Sequence, residues 1–495
     1  MTIILDVLKF LGIIFLVLLV FNFIIIVHEW GHFLAARWRG LKIEKFQIWM
    51  GKCLWKRTYN GVQYGLGTIP LGGFVQLPQM APMGAIEGKA GEEGEVLPPI
   101  KPLDKIIVAF AGPLFSFLLA VAFACALWAV KKPVNQQESD TTIGYVIPKM
   151  PAEAAGLKAG DKIIDIDGKK VKGFIRLTDS VIWAVAAGES DDVVFNVQRG
   201  DEPSPRTITV HAPYKTSPEY KEWDEKTSWI SKVFSRPPTR KVGIYPAGEG
   251  KIKLIKENSP AAEAGLKPGD IPLTLNGEKL YHVGYMDLVA KDNPGKEMKL
   301  TLMRDGKEIS VSLTPRIPEK PAALKEGRTG IEQYEELNPD APAELVRIAP
   351  FTLIGDVFRN TFATFRALFS PKSSIGVSQM SGPVGIMHVY YRILQNPEWW
   401  RLVLWFSVVL NVGLAIFNMF PLPVLDGGHI TMALLEMVRG KAIGTKLLEY
   451  VQIVCVLGLL SFVAFVTLKD VGGLSDDKME REEFLPRTPV VVPVP

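Results

Sequence analysis

His28, Glu29 and His32 form the stretch HEWGH at the end of a long apolar run. On a helix, positions i and i+4 share a face, so both imidazoles can present a nitrogen to one metal ion, with Glu29 one position round to polarise a bound water. That is the H-E-x-x-H arrangement for zinc. The alternative, two histidines satisfied inside a packed core, loses ground for two reasons. The chain holds only six histidines, which makes a chance match rare. Metal-binding and charged side chains are also costly inside an apolar span and mark function there.

Catalytic zinc takes three protein ligands and keeps one position open. The stretch NMFPLPVLDGGH, from Asn418 to His429, offers the third. Pro421 and Pro423 must break a helix and free backbone groups at this point. Asp426 follows, where an unpaired carboxylate is expensive. Two neutral imidazoles, one aspartate and one hydroxide would make a zinc site formally neutral and ease its burial. Asp426 is therefore the leading third ligand. His429 is its rival, with a capping or interface role as the other reading of that residue.

These residues need elements that hold them in a membrane. With 48% apolar residues in 495, the chain is too greasy for an ordinary soluble protein and too long for one domain. A net charge of +4 points to no nucleic-acid partner. Cys53, Cys125 and Cys455 lie far apart and imply neither a disulfide framework nor a cysteine zinc site. From Phe10 to Val27 only Asn22 is polar, and a helix of that length covers about 27 Å, close to a bilayer core. Four transmembrane segments are expected: 1–38 with HEWGH, 103–130, 398–438 with Leu-Asp-Gly, and 447–468. A signal peptide is the other reading of the N-terminus, but the apolar run is too long and no small-residue cleavage site follows.

Charge sets the orientation. Arg37, Arg39, Lys42, Lys45, Lys52, Lys56 and Arg57 follow the first span, whereas only Lys9 precedes its apolar core, so the loop 39–102 is expected in the cytoplasm. Arg439, Lys441 and Lys446 after the third span agree. Residues 131–400 and both termini then lie outside. Between Ile43 and Leu77, alternating residues flank Asn60-Gly61, a hairpin signal, and IPLGGFVQL adds a short strand. Such a sheet either packs only on the protein or offers an edge to an extended chain. Residues 341–370 set phenylalanines 351, 358, 362, 365 and 369 among Arg347, Arg359 and Arg366, as in an amphipathic helix on the outer membrane surface. Residues 469–495, ending in LPRTPVVVPVP, are expected to be a flexible tail.

The outer region repeats itself. PAEAAGLKAGDKIIDIDG from Pro151 and PAAEAGLKPGDIPLTLNG from Pro260 agree at half of their positions. Each reads as helix, tight turn and strand, and each ends in a hairpin, at Arg199-Gly200-Asp201 and at Arg304-Asp305-Gly306. The pattern resembles two PDZ domains of the circularly permuted bacterial kind, over 140–212 and 242–316. Such domains bind peptides along a sheet edge, or serve as spacers.

HEWGH in the first span, Asn418-x-x-Pro421-x-Pro423-x-Leu425-Asp426-Gly427 in a later one, and the repeats between them together resemble the site-2 protease family, in its RseP-type branch of regulated intramembrane metalloproteases. IPLGGFVQL from Ile69, AGPLFSF from Ala111 and SGPVGI from Ser381 extend the likeness over nearly the whole chain. Ser116 departs from it, since members of that branch usually carry asparagine after the Gly-Pro pair. The resemblance implies His28, His32 and Asp426 as zinc ligands, Glu29 as general base, and Asn418 as a contact to the substrate backbone. It also implies a multi-pass protein of a bacterial inner membrane, with the active site toward the cytoplasmic side.

The expected architecture is a multi-span α-helical membrane protein with four transmembrane helices, a membrane-associated β-hairpin and two extracytoplasmic α+β PDZ domains. The expected function is a Zn2+-dependent endopeptidase that cuts transmembrane segments of single-span membrane proteins, already trimmed by another protease. Two alternatives stand beside it. Prenyl-protein proteases also place H-E-x-x-H in a membrane helix but lack Leu-Asp-Gly and the repeats. An inactive PDZ-bearing membrane scaffold would have no physical need for an intramembrane metal site.

Overall fold

The computed structural model describes residues 2–80, 100–248, 250–317, 327–336, 344–440 and 445–484. The chain opens with α1 (Thr2–Trp38), then β1 (Lys45–Met50), β2 (Trp55–Tyr59), β3 (Val62–Leu66), β4 (Ile69–Gln76) and α2 (Pro102–Val130). After β5 (Lys132–Val134) and α3 (Gln136–Ser139), the first repeat follows as β6 (Ile143–Val146), α4 (Pro151–Ala154), β7 (Asp161–Ile166), β8 (Lys169–Lys170), α5 (Val181–Ala186), β9 (Asp192–Arg199) and β10 (Arg206–His211). Two helices absent from the sequence reading, α6 (Pro218–Lys226) and α7 (Trp229–Phe234), precede β11 (Ile244–Pro246). The second repeat runs through β12 (Gly250–Ile255), α8 (Pro260–Glu263), β13 (Ile271–Leu275), β14 (Glu278–Lys279), α9 (Tyr285–Asp292), β15 (Met298–Arg304), β16 (Lys307–Leu313) and β17 (Ile331–Glu336). The chain closes with β18 (Glu344–Val346), α10 (Pro350–Phe369), α11 (Pro383–Ile393), α12 (Trp399–Asn418), α13 (Asp426–Arg439) and α14 (Thr445–Phe484).

Two compact units result. The first comprises Met1–Lys132, Val346–Thr361 and Ser381–Thr467. Four helices are long and apolar enough to cross a membrane: α1, α2, α12 and α14. Within the unit α2 is central, packing against α1, α12 and α13. Ion pairs fix its N-terminal end: the Arg39 guanidinium donates to Asp104 at 2.7 Å, and Lys105 to Glu436 of α13 at 2.7 Å. Acidic Asp104 in the first turn also suits the helix dipole.

The first four strands form one sheet in the order β2-β3-β1-β4. The turn at Asn60-Gly61 closes the β2–β3 hairpin with both residues at positive φ, 49° and 77°, as the sequence predicts. The sheet leans on α1 through Asn22, the one polar residue of the apolar run. Trp49 sits in a bulge of β1 at a positive φ of 67°, and its indole N–H donates to Asn22 Oδ1 at 2.6 Å. Edge strand β4 then lies along α1, where a Cβ on Gly73 would be 3.5 Å from Glu29 Cγ.

In α10 the buried stripe is Leu353, Ile354 and Val357, packed with Ala120 and Leu127 of α2 and with Val408 and Val412 of α12. Phe351, Phe362 and Phe369 are exposed. The helix is amphipathic as expected, but its aliphatic residues face protein.

The second unit comprises Pro133–Leu345, Phe362–Met380 and Leu468–Pro495. Both repeats build the same sheet, β10-β9-β7-β8 and β14-β13-β15-β16. The shared Gly-Asp of the sequence motif has a structural reason. Asp161, fully buried, takes both guanidinium bonds of Arg199 at 2.7 Å, and Asp270 takes those of Arg304 at 2.6 Å. The same arginines donate to Gly156 O and Gly265 O, so each hairpin is locked onto the turn after its short helix. Isoleucine, valine and phenylalanine fill the first core, and Leu300, Leu302, Met286 and Ile252 the second.

Three boundaries need correction. β11 pairs with β6, and β17 with β12, so Ile244–Pro246 completes the first repeat rather than opening the second, and the second extends past 316. Each closing strand is short and distant in sequence from its partner, which local patterning cannot reveal. The tail expected from 469 is helical to Phe484. Lys469 and Asp470, the first residues of that expected tail, are buried and paired: Lys469 donates to Lys232 O at 2.7 Å, and Arg236 to Asp470 at 2.8 Å. The final stretch LPRTPVVVPVP lies outside the described residues.

Candidate metal centre

α1 carries His28 and His32 one turn apart, and α13 begins at Asp426. The break between α12 and α13 is the one the two prolines impose. The chain turns back tightly there: a Cβ on Gly427 would lie 2.2 Å from Met419 O, and one on Gly428 2.1 Å from Leu422 O. Only glycine lets α13 start against the broken backbone, which is why Asp426 is followed by two of them.

The three side chains meet. His28 Nε2 is 3.3 Å from Asp426 Oδ2, His32 Nε2 is 3.3 Å from Asp426 Oδ1, and the two Nε2 atoms are 3.3 Å apart. A tetrahedron with arms of about 2.0–2.1 Å has edges of about 3.3–3.4 Å, so the two Nε2 atoms, each facing its own oxygen of Asp426, lie close enough together to share one zinc ion. Among the described residues, Asp426 Oδ2 is buried without a hydrogen-bond donor, the state of an oxygen that awaits a cation. No other group of three such side chains occurs among the described residues. The donor set of two imidazoles and a carboxylate suits zinc. His429, the rival, stands on α13 but is not among the three converging donors.

The outer ring nitrogens are also occupied. His32 Nδ1 is 2.8 Å from Val108 O, and His28 Nδ1 is 3.0 Å from Ser116 Oγ. Between these two residues of α2 lies Gly112, where a Cβ would sit 2.2 Å from His32 Nε2 and 2.9 Å from His28 Cε1. Sequence reasoning singled out AGPLFSF as a family-like segment but assigned none of these roles. The signal was present in the spacing, since 108, 112 and 116 share one helix face.

Glu29 is partly buried beside β4, and Asn418 is the partly exposed last residue of α12, directly before the break.

The profile of peptidase family M50 matches residues 16–462. The chain belongs to peptidase family M50. It is 26% identical over 471 residues to Protease RseP of Yersinia pestis, an alignment covering 90% of this chain and 96% of that protein. It is 26% identical over 480 residues to the regulator of sigma-E protease RseP of Escherichia coli K12, again covering 90% and 96%. A Pasteurella multocida relative named as a zinc metalloprotease is 28% identical over 483 residues, with the same coverage. This M50 peptidase is thus an RseP-type site-2 protease, a membrane protein and a zinc metalloprotease.

Proposed function

We propose that this M50 peptidase cuts the transmembrane segments of single-span membrane proteins, after another protease has shortened their outer part. Substrates of that kind include an anti-sigma factor or the remnants of signal peptides. The observation that carries the reading is the convergence of His28, His32 and Asp426, with 3.3 Å between donors, on a membrane-length helix beside Glu29.

His28, His32 and Asp426 would hold the zinc ion. When bound, zinc supplies Lewis-acid activation of water and of the scissile carbonyl. Glu29, not a ligand, takes the proton of the attacking water and then delivers it to the leaving amine. A substrate helix hides its carbonyls in internal hydrogen bonds and must unwind before attack. β4 provides an edge that pairs with the unwound strand next to Glu29, and Asn418 contacts the substrate backbone.

The repeats are PDZ-like domains on the outer side of a bacterial inner membrane, and the active site lies toward the cytoplasmic side. The basic residues of the loop 39–102 support that orientation. Exposed Phe351, Phe362 and Phe369 on α10 suit a lipid surface. Standing outside, the repeats act as a filter that admits a trimmed stump and refuses a bulky outer domain.

The test is cleavage of one single-span substrate with and without a folded outer domain. The short form should be cut and the long form spared, and Glu29→Gln should cut neither. Equal rates for both forms would remove the filter, and uncut short substrate would remove the proposed substrate class.

A further inference from the structure

Two imidazoles bind one metal only if each offers the lone pair of Nε2, and a neutral ring does so only when its proton is on Nδ1. For His32 the backbone settles this. Val108 O can only accept, so the bond at 2.8 Å places the proton on Nδ1. His28 has no such guarantee. Its Nδ1 faces Ser116 Oγ at 3.0 Å, and a hydroxyl either donates or accepts. With Ser116 donating, the His28 proton would lie on Nε2, toward Asp426 Oδ2 at 3.3 Å, and the ring would have nothing to give a metal.

We propose that Ser116 is a positioning residue of the metal centre: by accepting from His28 Nδ1–H it holds that ring in the metal-binding tautomer and fixes its plane. The inference rests on the reading of His28 and His32 as zinc ligands. Ser116 is fully buried, as is most of His28, so no bulk water competes for Nδ1. The face of α2 is shaped for both rings, with an acceptor at 108, no side chain at 112 and an acceptor at 116.

Outer-sphere partners of this kind are worth about 10–100-fold in metal affinity. The test is zinc affinity of the full chain in detergent, by competition with a chelator, so that the readout does not depend on turnover. Ser116→Ala should weaken zinc binding about 10–100-fold, and Ser116→Thr, which keeps the hydroxyl, should stay within about threefold of the parent. Ser407→Ala controls for loss of a buried serine, since Ser407 lies on α12 with its hydroxyl toward that of Tyr390, and it should leave affinity unchanged. If Ser116→Ala binds as the parent does, or if Ala and Thr weaken binding equally, the hydroxyl does not hold His28 and the inference fails. His28→Ala separates this from failure of the underlying reading. Full zinc retention in that variant would mean that His28 is not a ligand, whatever Ser116 does.

Discussion

Gly112→Ala adds one carbon at the point where α2 meets the two histidines. The new Cβ would stand 2.2 Å from His32 Nε2 and 2.5 Å from its Cε1. Ordinary contact needs about 3.5 Å, so the ring must move by about 1 Å. It cannot swing freely, because Nδ1 is tied to Val108 O and the surroundings are packed. Metal–ligand distances tolerate only about 0.2 Å, so under the proposed assignment the displacement would remove His32 as a zinc donor. Zinc affinity should fall by at least about 100-fold and peptide cleavage with it. The helix itself should not suffer, since alanine is favoured over glycine there by about 1 kcal/mol. The assay is chelator competition beside thermal unfolding of the zinc-free protein. Parent-like zinc affinity and cleavage in a folded Gly112→Ala enzyme would refute the packing argument.

Other consequences concern the repeats. Arg199→Met leaves the buried Asp161 carboxylate without its partner and should destabilise the unit that holds the repeats by about 3–5 kcal/mol, read as a lowered unfolding transition; a shift equivalent to less than about 1 kcal/mol would contradict it. Burial pushes the Asp287 carboxyl up to about 6, opposed by the Tyr334 and Thr329 hydroxyls and by Arg328. A carboxyl raised in the folded state stabilises the fold when protonated. Stability of the second repeat should therefore be greatest below about pH 4 as far as Asp287 is concerned, fall as pH rises toward 6, and level off above it. Asp287→Asn should flatten that slope in pH-dependent unfolding, and an unchanged slope would count against the assignment.

Much of the site was legible because its chemistry has rigid spacing. HEWGH fixes two donors on one helix face, and the Pro-x-Pro break before Asp426 announces where a third must come from. The hairpin at Asn60-Gly61 was equally local. What escaped were features made by distant partners. Val108, Gly112 and Ser116 look like an ordinary apolar helix until α1 lies against them. β11 and β17 are too short to declare which sheet they complete. Lys469 and Asp470 read as the start of a solvated tail, yet they are buried because Lys232, Ser235 and Arg236 receive them.

The most direct test of the account is the zinc content of purified parent, Asp426→Ala and Glu29→Gln proteins, measured beside cleavage of a single-span substrate. The parent should carry one zinc per chain and cut. Asp426→Ala should lose the metal and its activity together. Glu29→Gln should keep the metal and lose cleavage, because in the proposed mechanism the glutamate moves protons and binds no zinc. Full zinc in Asp426→Ala, or substrate cut by Glu29→Gln, would contradict the assignment of the centre.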